Sequence, residues 1–194
     1  MRAARLIVAL TASALVACTP LPDRKADGRV DEPLSVTTTP EISLPPRPRE
    51  VPLDGLDPCA VLSADQRAQL SLDQPPSGYL EASFGNAKAC TIRSGISGNV
   101  LRLALVTVEG VEVWLSENAQ VDARPTTVSG FPALTVRTPG IEDACTVEVD
   151  VARGQFLDVM FRDGGNKPQV KQDVLCQGAQ RAAEAAVAAL LQRG

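Results

Sequence analysis

The sequence predicts an α+β domain: a mainly antiparallel sheet, flanked by N-terminal and C-terminal helices and tied by two disulfides. Three observations predict it. Segments rich in Val, Leu and Ile with strand-like alternation fill residues 89–161. Capping signals precede them near residue 58, and an Ala-rich stretch with helical apolar spacing follows them to residue 193. Four cysteines are spread over the same region.

The 194 residues suffice for one domain plus an additional segment. Hydrophobic residues make up 44% of the chain, but only four Phe, one Trp and one Tyr are aromatic, so the core must be built from aliphatic side chains. The net charge is −4 with no long basic run, which excludes nucleic-acid binding by phosphate neutralisation. Histidine is absent. That removes Ser-His and Cys-His catalysis, imidazole ligands and imidazole general bases.

At the start of the chain, Arg2 and Arg5 precede the apolar run Leu6–Val16, "LIVALTASALV". A membrane span needs about 20 residues, so this shorter run fits the apolar segment of a signal peptide. Its end, Leu15-Val16-Ala17-Cys18, resembles the bacterial lipobox. The resemblance implies a diacylglycerol on the Cys18 thiol, cleavage before Cys18, and palmitate-type acyl chains that together anchor the chain to a membrane. Residues 1–17 are then the leader and 18–55 the lipidated cysteine with its tether. Residues 56–194 form the globular domain. Residues 19–55 hold eight of the 15 prolines and lack apolar periodicity. A coil of this length reaches roughly 30 Å. The alternative to a spacer is a proline-rich ligand around "PPRP".

Within the domain, Asp57-Pro58 and the Ser63/Gln66 pair are helix-start signals, predicting one helix or two short turns over 58–70. Residues 73–78 are expected as a loop and 89–93 as a short strand. "NVLRLALVTV" over 99–108 is a strand with Leu101, Leu103 and Leu105 on one face. Val111, Trp114 and Leu115 have helical spacing, predicting a helix over 110–119 that buries the single Trp. A strand is expected around "FPALTVR" within 126–137. "CTVEVDVARGQFLDVMF" predicts a hairpin turning at Arg153-Gly154. Its Glu148, Asp150 and Asp158 are expected on the wet face, where the functional alternative is an acidic docking surface. After the loop "RDGGNK", residues 168–193 are expected as a helix, with Gly178 a break near its start.

If Cys18 carries lipid, Cys59, Cys90, Cys145 and Cys176 remain. An oxidising compartment favours two disulfides, and three connectivities are open. Pairing helix starts with each other and strand starts with each other gives Cys59–Cys176 and Cys90–Cys145. The cysteines lack the close C-x-x-C pairs of thiolate metal sites and redox dithiols.

"DPCAVLSADQ", "ACTIR", "ACTVEVDV" and a last cysteine ahead of "RAAEAAVAALL" together resemble an actinomycete lipoprotein family, domain of unknown function 3558. The resemblance covers residues 56–193 and implies a cell-surface setting with four paired cysteines; it implies no activity. Where that family often carries Trp two residues after the second cysteine, this chain has Ile92. "VSGFPAL" is similar to an element of PsbP-like lipoproteins, which implies a sheet flanked by helices.

No catalytic residue, cofactor site or metal site is assigned. Ser63 is a helix cap, and neither it nor Ser129 lies in G-x-S-x-G. Glu142-Asp143 is a solvated loop, and Asp163–Asn166 is a turn without the ligand series of a calcium loop. Trp114 is assigned to the core. The expected function is a membrane-anchored extracytoplasmic lipoprotein whose domain binds an envelope protein or a small lipophilic ligand without catalysis. The alternative is an accessory subunit of an envelope or secretion complex, and after it a hydrolase using two carboxylates. A lipophilic ligand calls for a closed apolar pocket, and a hydrolase for two convergent carboxylates in a cleft.

Overall fold

A computed structural model describes residues 42–193. The leader, Cys18 and the tether up to residue 41 lie outside the described residues. Asp57 accepts the Cys59 N–H and opens a 3₁₀ turn over Pro58–Ala60. Ser63 and Gln66 make the reciprocal capping box that starts α1 (Ala64–Gln69). The strands are β1 (Ser77–Glu81), β2 (Ala87–Arg93), β3 (Asn99–Val106), β4 (Asp122–Val128), β5 (Phe131–Arg137), β6 (Ala144–Ala152) and β7 (Gln155–Asp163). Helix α2 (Gln172–Leu191) follows them. The strands form one antiparallel sheet in the order β1-β2-β3-β7-β6-β5-β4. The α+β class with flanking helices is therefore what the chain adopts.

Three local expectations change. The loop expected over 73–78 gives way to β1 at Ser77. The 126–137 region is a hairpin of β4 and β5, turned by Ser129 (φ 50) and Gly130 (φ 85), a pair of positive φ values suited to a tight hairpin. Residues 111–115 form a short 3₁₀ helix in place of the longer helix.

Strand alternation divides the sheet into two faces. On the first, Leu101, Leu103, Val147, Val149, Val159 and Phe161 pack against Leu175, Ala179, Ala182, Ala183 and Ala186 of α2. Small alanines let the helix axis approach the sheet, which suits a chain poor in aromatics. Gly178 is a contact point in this interface and leaves α2 unbroken: a Cβ there would lie 2.6 Å from a Phe161 ring carbon.

On the second face, Ala104, Val106, Leu134, Val136 and Phe156 are covered by the 3₁₀ turns Ala82–Phe84 and Val111–Leu115. Phe84 stands edge-on to Phe156 (5.6 Å) and to Trp114 (6.1 Å). The chain ahead of residue 56 joins this cover. Leu44 packs on the same cluster, Arg47 grips Asp150 at 2.6 and 2.7 Å, and the Val51 N–H donates to Val151 O at 2.8 Å. Beyond Arg47 the chain turns to the first face, where Val51 packs and Leu53 is fully buried. The fold thus includes residues that composition assigned to the tether, because anchoring here uses a few specific contacts instead of apolar periodicity.

The disulfides are Cys59–Cys90 and Cys145–Cys176, with Cα separations of 5.1 and 4.9 Å. This corrects the expected Cys59–Cys176 and Cys90–Cys145. Cys90 on β2 and Cys145 on β6 are separated by β3 and β7. At about 4.8 Å per strand they stand roughly 14 Å apart, beyond the reach of a disulfide. Each bridge instead joins a helical element to the strand beneath it.

Candidate functional site

The second face is closed at one end and open at the other. The open end is a groove of about 890 Å³ across β1, β2, β3 and β7, completed by the loop after β7. Strand register sets its floor. Ser77, Thr91, Arg102, Met160 and Thr146 lie in one row across the sheet; Arg93, Val100 and Arg162 lie in the next. On the other side, Ala104, Asp158, Glu148 and Leu134 form the row that passes under the cover.

Arg102 stands where groove and cover meet. Its Nε and Nη2 donate to the two Asp158 oxygens at 2.8 and 2.7 Å, and its Nη1 reaches Glu81 at 3.3 Å. The guanidinium sits 5.7 Å from the centre of the Phe84 ring. Burial works against its charge, but the Asp158 carboxylate outweighs burial and holds the Arg102 pKa above its ordinary value. Glu81 also accepts from Tyr79 (3.1 Å) and Ser83 (2.8 Å). Burial opposes the Glu81 charge, yet the Ser83 and Tyr79 hydrogen bonds and Arg102 hold its pKa below the usual range. Burial pushes the Tyr79 phenol up to about 12, so the hydroxyl stays a donor.

Glu148 and Asp158 are fully buried cross-strand neighbours, which corrects their assignment to the wet face. Asp150, two residues from Glu148 along β6, is also buried and is held by Arg47. Alternation had identified the correct face, but the cover over it comes from turns distant in sequence. Burial raises Glu148 well above the carboxylate range, and the Asp158 charge adds to the rise. Burial raises Asp158 as well, with Arg102 opposing it. Burial therefore favours the neutral form of Glu148, while Arg102 supports the charge on Asp158. Neither Glu148 carboxyl oxygen has a hydrogen-bond partner among the described residues.

This arrangement fixes Arg102 in place. The two carboxyls converge, but they are sealed beneath the cover and do not line the groove. The groove itself is open and lined by charged and hydroxyl side chains, unlike a closed apolar pocket.

The other residues singled out from sequence fall as follows. Ser63 caps α1 and Ser129 turns a hairpin. Asp143 pairs with Arg162 at 3.3 Å on the groove rim. The Asp163 carboxylate accepts from Gly165, Asn166 and Val170 N–H groups and shapes the loop that bounds the groove. Trp114 is half-buried against Phe84. Among the described residues no group of three or more His, Cys, Asp or Glu side chains is placed to hold a metal, and no helix is long and apolar enough to cross a membrane. The residue missed from sequence was Arg102, and its signal was a lone arginine inside an apolar strand.

No curated protein and no solved structure matches the chain. A family model described as "Protein of unknown function (DUF3558)" matches residues 13–189, from the end of the apolar run through the groove to α2, and the chain belongs to that family.

Proposed function

We propose that the chain is a lipid-anchored extracytoplasmic lipoprotein whose domain is a non-catalytic binding module, with the groove over β1, β2, β3 and β7 as its ligand site. The observation that carries this reading is the groove with its clamped floor. Arg102 is held by Asp158 and Glu81 while the sealed carboxyls stay out of a ligand's reach. A preformed polar surface of this kind suits recognition, since little ordering is left to be done on binding. The anchor rests on the Cys18 motif and on cysteine arithmetic: the two disulfides use four of the five cysteines, and Cys18 is the fifth. The family match begins ahead of Cys18.

Two experiments test the two halves. Labelling cells with palmitate should mark the native protein and leave Cys18→Ala unmarked; a labelled variant refutes the anchor. A photo-crosslinking residue at Met160 in the groove should capture envelope components that one at Glu184, exposed on α2, does not. Capture from Glu184 alone would instead favour an accessory subunit that docks through its helix.

A further inference from the structure

We infer that the groove receives an oxyanion, a carboxylate or phosphate group of its ligand, at Val100 between Arg93 and Arg162. This rests on the groove being the ligand site and adds the chemistry of what enters it.

Register supplies the first argument. Arg93, Val100 and Arg162 are direct cross-strand partners on β2, β3 and β7, so the two arginines flank a small apolar residue on one face. At about 4.8 Å per strand their Cα atoms stand roughly 10 Å apart, and Arg102 follows two residues along β3. Arg93 and Arg162 thus flank Val100 in the groove, while the Arg102 guanidinium is turned to Asp158 at the edge of the cover.

The pattern of partners supplies the second. Every acid lining the groove is already engaged. Glu81 serves Arg102, Tyr79 and Ser83, and Asp163 is filled by N–H donors of its own loop. Asp143 makes a single 3.3 Å contact with Arg162 on the half-exposed rim. Arg102 spends its charge on Asp158. Arg93 and Lys167, both exposed, have no ion-pair partner among the described residues. Arg93 and Lys167 therefore bring cationic donors to a groove whose carboxylates are already engaged elsewhere. A planar guanidinium fork binds carboxylate and phosphate oxygens in pairs. The neighbouring Thr91, Ser77 and Tyr79 hydroxyls suit the uncharged remainder of a polar ligand.

Isothermal titration of the purified full chain with inorganic phosphate, glucose 6-phosphate, glucuronate and glucose tests the inference. Both sugar anions should bind at least about tenfold tighter than glucose, and Arg93→Gln should remove most of that advantage. Phosphate binding as well as glucose 6-phosphate identifies the oxyanion alone as the ligand chemistry; a large gap between them assigns the hydroxyl row a share. Arg93→Gln keeps the fold on this reasoning, and an unchanged melting temperature checks it. Equal binding of anions and glucose, or anion binding indifferent to both Arg93→Gln and Arg162→Gln, overturns the oxyanion assignment. Either result leaves the groove reading to be judged by the Met160 crosslinks. Absence of saturable binding by any anion overturns the assignment as well.

Discussion

Replacing Arg102 by Met removes both hydrogen bonds to an Asp158 carboxylate that has no exposure to solvent. The remaining neighbour in its row is Glu148, itself an acid. Breaking a buried pair from one side costs about 3–5 kcal/mol, because an uncompensated charge is left behind. Against a typical domain stability of about 5–15 kcal/mol, that is a large fraction of the total. Asp158 will answer by taking up a proton, so the deficit of the variant should shrink as pH falls. The pair can be separated from its parts by a cycle. Asp158→Asn alone leaves the Arg102 charge half served, whereas Arg102→Met/Asp158→Asn leaves no buried charge. The double variant should therefore recover at least about 2 kcal/mol relative to the sum of the singles. Urea unfolding of the disulfide-intact protein, repeated at acidic and neutral pH, reads all four corners. Two results would refute the reasoning: a loss below about 1 kcal/mol for Arg102→Met, or strictly additive single variants.

Three further outcomes are expected. Glu148 holds a proton in the fold that the unfolded chain releases near its ordinary value of 4.5, so its contribution is complete below that value and is lost as pH rises through the raised folded value. Glu148→Gln, which has no such proton, should unfold with a flatter pH profile across the neutral range and gain stability over the native chain at alkaline pH; identical profiles contradict the buried acid. Each disulfide spans a sequence separation of 31, so Cys59→Ala/Cys90→Ala or Cys145→Ala/Cys176→Ala should each cost ~3–4 kcal/mol in denaturant unfolding. Non-reducing peptide mapping checks the pairing itself, and a Cys59–Cys176 peptide would contradict it. Gly178→Ala should destabilise by about 1–3 kcal/mol despite its better helix propensity, since the new Cβ meets the Phe161 ring; a stabilised variant in thermal melts refutes the close approach.

What was legible in the sequence was what local chemistry decides. The Ser63/Gln66 capping box, the β6–β7 hairpin and the alternation of β3 each depend on residues a few positions apart, and each is present. The Cys59–Cys90 and Cys145–Cys176 bridges were not legible, because strand order places β3 and β7 between the two strand cysteines and nothing local encodes strand order. The site was hidden for a related reason. Glu148 and Asp158 alternate with buried valines just as solvent-facing acids would, and a cover distant in sequence, made by residues 82–84 and 111–115 with Leu44 and Arg47, lies over them. The groove's arginines come from three strands whose register, not their spacing along the chain, brings them together.

The disulfide connectivity also bears on how the protein is made. The bridges join the first domain cysteine to the second and the third to the fourth, and their loops neither overlap nor interlock. On the exported route proposed above, the chain emerges amino end first. Cys59 and Cys90 are then both delivered before Cys145 appears, and Cys145 before Cys176. With the Cys18 thiol occupied by lipid as proposed, an oxidase that joins each new thiol to the last unpaired one produces the native set in order of arrival. The nested pairing, Cys59–Cys176 around Cys90–Cys145, would have required holding Cys59 reduced until nearly the whole domain had been delivered. Maturation of this domain can therefore proceed by vectorial oxidation alone, with no isomerase to undo a wrong bond.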